Sequence, residues 1–328
     1  MSKTTAKAFS NIALVKYWGK GDEKLRLPVN SSVAVGLDGI FTITTVEFSE
    51  SYAQDEVEID GEQFNDSEKT RVSQHLDLIR QRAGMNHRAK VVTKNNFPKA
   101  VGAASSASGF AALTVAAAAA ADLKLSEKEL SVIARQGSGS ATRSVAGGLS
   151  VWHKGSDSET SFAERIEYPS EWDIRVLLVF VGEVKAKKIS SSVGMNLAST
   201  SPYFKTAVDE AQQNIERLRQ ALSQKNWSGL GKVIEDECYR LHMLCQTSTP
   251  NILYWEGATV DIFQKLQQLR LQGIEAFFTV DAGPHVHVVC QQRDVAKVKS
   301  EIESIENVNS IVECGIAGPA IIISEDLF

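Results

Sequence analysis

NNFPKAVGAASSASGF, residues 95–110, runs from a turn into a row of small residues and then straight into FAALTVAAAAAADL, residues 110–123. Alanine is the strongest helix former, so the composition predicts a helix from about Ser106 to Leu123. Small side chains let a ligand approach the backbone closely. Successive backbone N–H groups at a helix start make an anion site. Ser105, Ser106 and Ser108 add hydroxyl donors that suit phosphate oxygens or a bound Mg²⁺. No Gly-Lys-Ser/Thr closes the loop, so it is not a Walker A sequence. The same residues also read as a helix start that simply packs tightly, and on composition alone both readings stand.

Working outward, the residues before this segment alternate as strands do. FTITTVEF, residues 41–48, is rich in β-branched and aromatic residues. EVEIDGEQF, residues 56–64, carries Asp60-Gly61, a hairpin signal. Ser67 is placed to cap a helix whose apolar residues Val72, Leu76 and Ile79 recur at helical spacing. Lys90 to Thr93 reads as a further strand. After the alanine tract, Ser126 and Glu129 form a capping box for the next helix. Gly137 to Ser140 is a loop, and strands follow at Gly148 to Trp152 and Ile174 to Val181. The second half has long amphipathic helices at Tyr203 to Ser223, Trp227 to Cys245 and Val260 to Gln272. Strands at Ala276 to Val280 and Val286 to Cys290, a helix at Asp294 to Ile305 and a strand near Ala320 to Ser324 complete an α+β pattern. Two domains are expected, residues 1–184 and 185–328, with the boundary in the lysine-bearing stretch Glu183 to Ser192.

Composition narrows the function classes. The 328 residues are 43% hydrophobic and 23% charged, as in ordinary globular chains. A net charge of -5 argues against a nucleic-acid footprint. No apolar run is long enough for a membrane helix, and the N-terminal residues do not read as a signal peptide. Cys238, Cys245, Cys290 and Cys314 show no CxxC pair or zinc spacing, which favours a reducing compartment over a disulfide framework. A soluble cytoplasmic protein is expected.

Three further stretches could carry chemistry. NIALVKYWGK, residues 11–20, sets Lys16 and Lys20 four apart beside Tyr17 and Trp18. It reads either as an anion site or, better on its own, as an edge strand with solvated lysines. GSGSATRS, residues 137–144, offers N–H and O–H donors and Arg143, which suits a carboxylate or phosphate; a surface loop is the plainer reading. FTVDAGPH, residues 278–285, ends an apolar strand at Asp281, either a turn cap or a positioned carboxylate. His285 and His287 would share a face of one strand, but no third ligand accompanies them. His242 lies within a helix and reads as packed.

Together these stretches resemble the mevalonate diphosphate decarboxylase family of the GHMP kinase superfamily. The matching segments are SNIALVKYWGK (10–20), LPVNSS (27–32), NNFPKAVGAASSASGF (95–110), GSGSATRS (137–144), KKISSSVGM (187–195) and VDAGPHV (280–286). The serine-rich loop marks only the superfamily, whereas KYWGK, GSGSxxRS and DAGP together are far more specific. The resemblance implies a two-domain α+β GHMP kinase fold. Its N-terminal domain would be like the second domain of ribosomal protein S5, its C-terminal domain ferredoxin-like, with the active site in the cleft between them. It implies use of ATP and Mg²⁺ to phosphorylate the 3-hydroxyl of mevalonate 5-diphosphate, with loss of phosphate and CO₂ to give isopentenyl diphosphate. A relative acting on the 5-phosphate, or stopping at 3-phosphorylation, is the alternative.

Carried over by position, Asp281, Lys16 and Arg143 are the implied catalytic residues. Tyr17, Lys20, Ser138, Ser140, Ser191, Met195 and Ala282 would shape the substrate site. Asn95, Asn96, Gly102, Ala103, Ala104, Ser105, Ser106 and Ser108 would surround the nucleotide, with Ser106 on the metal. The resemblance also implies a homodimer, with neither nucleic-acid nor membrane partners. Five positions depart from the family pattern. Ala103 stands for the usual Leu, Ser192 for an Arg of several bacterial relatives, and His285 for Asn. Thr142 stands for a common Cys, and Lys94 for a serine that some relatives place near adenine.

Overall fold

The computed structural model describes residues 3–63, 66–97, 105–182 and 189–328. The chain opens with β1 (Thr4–Val15), a hairpin of β2 (Lys20–Asp22) and β3 (Leu27–Pro28), and the long strand β4 (Ser32–Ser49). A second hairpin, β5 (Glu56–Ile59) and β6 (Glu62–Gln63), leads to α1 (Asp66–Ala83), β7 (Arg88–Asn95) and α2 (Ser105–Ala120). Then come α3 (Glu127–Gly137), α4 (Ala141–Ala146), β8 (Leu149–Trp152), β9 (Ala163–Arg165) and β10 (Ile174–Val181). The rest is α5 (Ser191–Leu197), α6 (Phe204–Ser223), α7 (Trp227–Thr247), α8 (Gly257–Leu271), β11 (Phe277–Val280), β12 (Val286–Gln291), α9 (Gln292–Glu303), β13 (Val308–Cys314) and β14 (Ile321–Ile323).

Two sheets organise these elements. The first has the order β14-β1-β4-β7-β5-β6, with β8 on β4 and β9 on β8. Among its described strands only β5 and β7 run parallel. The second sheet, β11-β12-β10-β13, is antiparallel throughout. With α6 to α8 after β10 and α9 before β13, this is the β-α-β-β-α-β arrangement of a ferredoxin-like domain. The expected α+β fold and its ferredoxin-like second domain are therefore present.

Local chemistry explains several elements. Asp60 and Gly61 both take positive φ, 52° and 83°, as a tight two-residue hairpin turn requires. Ser126 accepts from Glu129 N–H while the Glu129 side chain accepts from Ser126 N–H, so the capping box forms as expected. On α2, Ala107, Ala111, Ala112, Ala116 and Ala117 are fully buried. Their small side chains let the helix lie close on β1 and β4.

The core is continuous across the two halves. Ile12, Val35 and Leu37 of the first sheet pack with Leu178, Ile215, Trp227 and Phe277 of the second half in one buried cluster.

Some expectations need correction. The first described helix starts at Asp66, so Ser67 lies in its first turn and is not the cap. Helix α2 stops at Ala120, short of Leu123, where Asp122 turns left-handed at φ 56°. Residues 11–15 belong to β1, where they pair with β4 while β14 reaches only Thr5 to Lys7, and Lys16, read as solvated, is fully buried. The strand near residues 320–324 does not join the second sheet. It returns to the first and pairs with β1. That return brings Gly318 against Gly147, where a Cβ would sit 2.1 Å from the Gly318 carbonyl oxygen. His285 precedes β12, so the two histidines do not share that strand. The expected boundary falls in residues 183–188, outside the described residues. Pairing places β10, on its N-terminal side, in the second sheet.

Candidate active site

The ends of two strands from different sheets meet in one cleft. Lys16 follows β1 and is fully buried. Asp281 follows β11. Lys16 Nζ donates to Asp281 Oδ1 at 2.7 Å and to the Ala13 carbonyl at 2.8 Å. The Lys16 backbone is held as firmly. Its N–H donates to Glu237 Oε2 at 2.7 Å, and its carbonyl accepts from Asn30 at 2.9 Å and Arg240 at 3.0 Å. Glu237 and Arg240, both buried on α7, form an ion pair beneath it. Asn214 of α6 donates to Glu237 Oε1 at 2.6 Å.

Arg143, on the short helix α4, is 4% exposed. Its Nε donates to Asn11 Oδ1 at 3.2 Å and its Nη1 to Ser32 Oγ. Asn11 in turn donates to Ser144 Oγ at 2.8 Å. The guanidinium is thus fixed by β1 and β4, and no carboxylate forms a salt bridge with it among the described residues.

A cavity of about 230 Å³ opens onto these groups. Its lining includes the expected catalytic residues Lys16, Arg143 and Asp281, and all seven expected substrate-site residues: Tyr17, Lys20, Ser138, Ser140, Ser191, Met195 and Ala282. A second cavity of about 270 Å³ lies alongside. Val57, Ile59, Val72, Val91, Phe110 and Leu113 give it apolar walls, and Thr93 and Asn95 give it polar ones. That mixture suits a flat heterocycle. Arg71 and Ser106 line both cavities, and Ser106 Oγ lies 3.1 Å from Ser138 Oγ.

Electrostatics set the protonation states. Burial alone pushes the Asp281 carboxyl up, but Lys16, with His287 and Arg143, more than reverses this and holds it at about 2. Burial lowers the Arg143 guanidinium to about 10, against the opposing pull of Asp281 and Tyr17. Burial pushes the Tyr17 phenol up to about 12, so it stays a neutral donor. His242, behind Asp281, is driven down to about 3 by burial and then by Lys16, and is neutral.

The nucleotide-side expectations divide. Gly102, Ala103 and Ala104 lie outside the described residues, as do Lys185, Lys187 and Lys188. The backbone of Ser105 begins α2. Ser106 and Asn95 line the second cavity. Ser108 does not: it is fully buried, its hydroxyl 2.7 Å from Thr42 Oγ1 in the sheet below. Asn96 instead ties the end of β7 to the middle of β4, donating to the Gly39 carbonyl and accepting from Phe41 N–H. Sequence reasoning passed over Arg26 and Arg71, which also line the first cavity. A signal for Arg71 existed. Glu68, Arg71 and His75 run as a polar stripe beside the apolar stripe Val72, Leu76 and Ile79 of α1.

Two family models match the chain. The diphosphomevalonate decarboxylase-like N-terminal domain covers residues 8–163. The mevalonate 5-diphosphate decarboxylase C-terminal domain covers residues 177–321. The chain belongs to the diphosphomevalonate decarboxylase family. It is 31% identical to a phosphomevalonate decarboxylase of Haloferax volcanii over 98% of both chains. It is 34% identical to a diphosphomevalonate decarboxylase of Candida albicans, over 88% of this chain and 84% of that one. Among solved structures, MDDEF in complex with MVAPP, AMPPCP and magnesium superposes with a TM-score of 0.92 at 35% identity, over 98% of this chain and 99% of that one. Members of this family thus share both the fold and the order of its two domains with this chain.

Proposed function

We propose that the chain catalyses the ATP-dependent decarboxylation of mevalonate 5-diphosphate to isopentenyl diphosphate, releasing ADP, phosphate and CO₂. The observation that carries this reading is the buried Lys16–Asp281 pair opening onto the same cleft as Arg143. A tertiary alcohol is a weak nucleophile that must be aimed at the transferring phosphoryl group. Asp281, ionised and about a third exposed to the cleft, accepts the hydrogen bond of the 3-hydroxyl. A carboxylate held near 2 is a poor base in the ground state. Its work is orientation, and it receives the proton as the oxygen–phosphorus bond forms, which suits a loose transfer. Lys16 keeps it ionised.

With Nε on Asn11 and Nη1 on Ser32, Arg143 has Nη2 to turn toward the substrate carboxylate. Once the 3-oxygen carries phosphate, the carbon–oxygen bond breaks and phosphate departs with both electrons. The carbon–carbon bond to the carboxylate then supplies the alkene electrons, and CO₂ leaves. No prosthetic electron sink is required.

The second cavity takes the nucleotide base beside Asn95, with the phosphates at the start of α2. Magnesium supplies neutralisation of phosphate oxygens. Ser106, whose hydroxyl lies between the two cavities beside that of Ser138, would hold it. Among the described residues no cluster of three acidic, His or Cys side chains competes for a metal, as suits an ion carried mainly on phosphates. MVAPP, AMPPCP and magnesium in the MDDEF complex support this assignment. The division into two domains with the site between them, the homodimer and the cytoplasmic location belong to the same reading. Light scattering tests the dimer.

The deciding experiment supplies ATP, Mg²⁺ and either mevalonate 5-diphosphate or mevalonate 5-phosphate, and follows ADP, phosphate and CO₂ together. Equal release of all three from the diphosphate is expected. ADP without CO₂, or turnover of the monophosphate alone, would overturn the reading.

A further inference from the structure

The β2–β3 hairpin does more than connect two parts of the chain. Asp22 accepts from Leu25 N–H at 2.7 Å across its turn. From below, the fully buried Arg135 donates Nε to the Leu25 carbonyl at 3.0 Å. The Arg135 Nη1 is itself anchored on the carbonyls of Ser158 and Ser161. This scaffold holds the next residue, Arg26, at φ 51°. Left-handed backbone is costly for a residue with a Cβ, and such strain persists where the surroundings impose it.

The side chain of Arg26 lines the substrate cavity together with Lys20, Arg71 and Ser192. The other cations there are engaged. Lys20 Nζ lies 3.5 Å from Glu23 and 3.2 Å from Ser192 Oγ. Arg71 donates to the Gly137 carbonyl at 2.7 Å and lies over the Phe110 ring. The one carboxylate lining this cavity, among the described residues, is Asp281, and Lys16 holds it. No described salt bridge involves Arg26. Its charge acts on Arg71, where it adds to burial in lowering that guanidinium to about 10. Two guanidinium groups that repel each other across a cleft are compensated when an anion lies between them. Arg26 does not line the second cavity.

We propose that Arg26 is a specificity-determining cation of the substrate cleft, and that it binds the outer phosphoryl group of a phosphorylated hydroxy acid whose carboxylate end lies at Arg143. This rests on the function proposed above and deepens it. A diphosphate ester presents one more ionised phosphoryl group than a monophosphate. A rigid guanidinium can bind that group through two parallel hydrogen bonds. The hairpin turn thereby becomes a gauge of phosphate-chain length.

The test uses the intact chain, with Arg26→Asn and Arg26→Lys. Asparagine removes the charge yet tolerates left-handed backbone, so the turn is preserved. Steady-state kinetics are measured for ATP, mevalonate 5-diphosphate and mevalonate 5-phosphate, with wild type first. An inactive wild type refutes the proposed function. With active wild type, Arg26→Asn is expected to raise KM for the diphosphate by about tenfold to a hundredfold, as for loss of a hydrogen bond between charged groups. The expected kcat changes little, KM for ATP is unchanged, and Arg26→Lys recovers part of the loss. A rise in KM for ATP instead would reassign Arg26 to the nucleotide phosphates. An equal rise for diphosphate and monophosphate, or no rise, also overturns the proposal.

Discussion

Asp281 shows how a residue's partners can outweigh its burial. Its folded value, about 2, lies below the ordinary 3.8. The ion pair therefore stabilises the folded chain above the ordinary carboxylate value, and this is lost as pH falls through about 2. Across pH 5 to 9 Asp281 stays ionised, so an acid limb in kcat/KM there reports the substrate phosphates, whose last proton titrates near ~6. Asp281→Asn is expected to lower kcat by roughly a thousandfold, with ATP binding retained by calorimetry. Lys16→Met removes the charge that offsets burial, so the Asp281 carboxyl of the free variant is expected to titrate higher, as read by NMR of that carboxyl. An unmoved Asp281 titration in that variant would count against the coupling. Arg143→Gln should keep its fold, seen by circular dichroism, and lose turnover. A variant that does not fold would make Arg143 structural.

At the scale of elements, α7 is the backing plate of the site. Glu237 accepts from Asn214, Arg240 and Lys16 N–H, and Arg240 also donates to the carbonyls of Lys16 and Ala207. Buried ion pairs with their remaining bonds satisfied are costly to halve. Arg240→Met, which strands Glu237, is expected to destabilise the chain by about 3–5 kcal/mol in denaturant melts. Glu237→Gln combined with Arg240→Met should cost less than the sum of the single changes, and strict additivity would show that the two act independently.

Much at this scale was legible in the sequence, because capping, turn and alternation signals are local. Ser126 with Glu129 and Asp60 with Gly61 behave as their chemistry dictates. Lys16 was not legible as a buried residue, since a lysine ending a strand normally faces water. The carboxylate that makes its burial affordable lies 265 residues away. The candidate site was legible through its motifs taken together, while Arg26 sits in a stretch that reads as ordinary surface and Arg71 is marked only by the polar stripe of α1. The half-exposed β13 (VNSIVEC) lacks clean alternation, and nothing local announces that β14 will pair with β1.

The whole molecule is tied together by that last pairing. Thr5, Ala6 and Lys7 of β1 face Ile323, Ile322 and Ile321 of β14. Ala317 N–H donates to the Gly36 carbonyl while its own carbonyl accepts from Gly148 N–H, and Thr5 donates to Asp326 at 2.7 Å. Removing residues 315–328 is expected to lower Tm by several degrees and to promote association through the exposed edge of β1. Calorimetry and light scattering on the truncated chain check both. An unchanged Tm would mean that β14 merely decorates the sheet.

The same strand order imposes a schedule on synthesis. A ribosome releases β1 early and β14 more than 300 residues later. Throughout that interval β1 has β4 on one side and, at Thr5 to Lys7, nothing permanent on the other. The strand that leads into Lys16 is thus among the first made, and the Asp281 that pairs with this lysine comes 265 residues later, so the catalytic cleft matures only when most of the polypeptide has emerged.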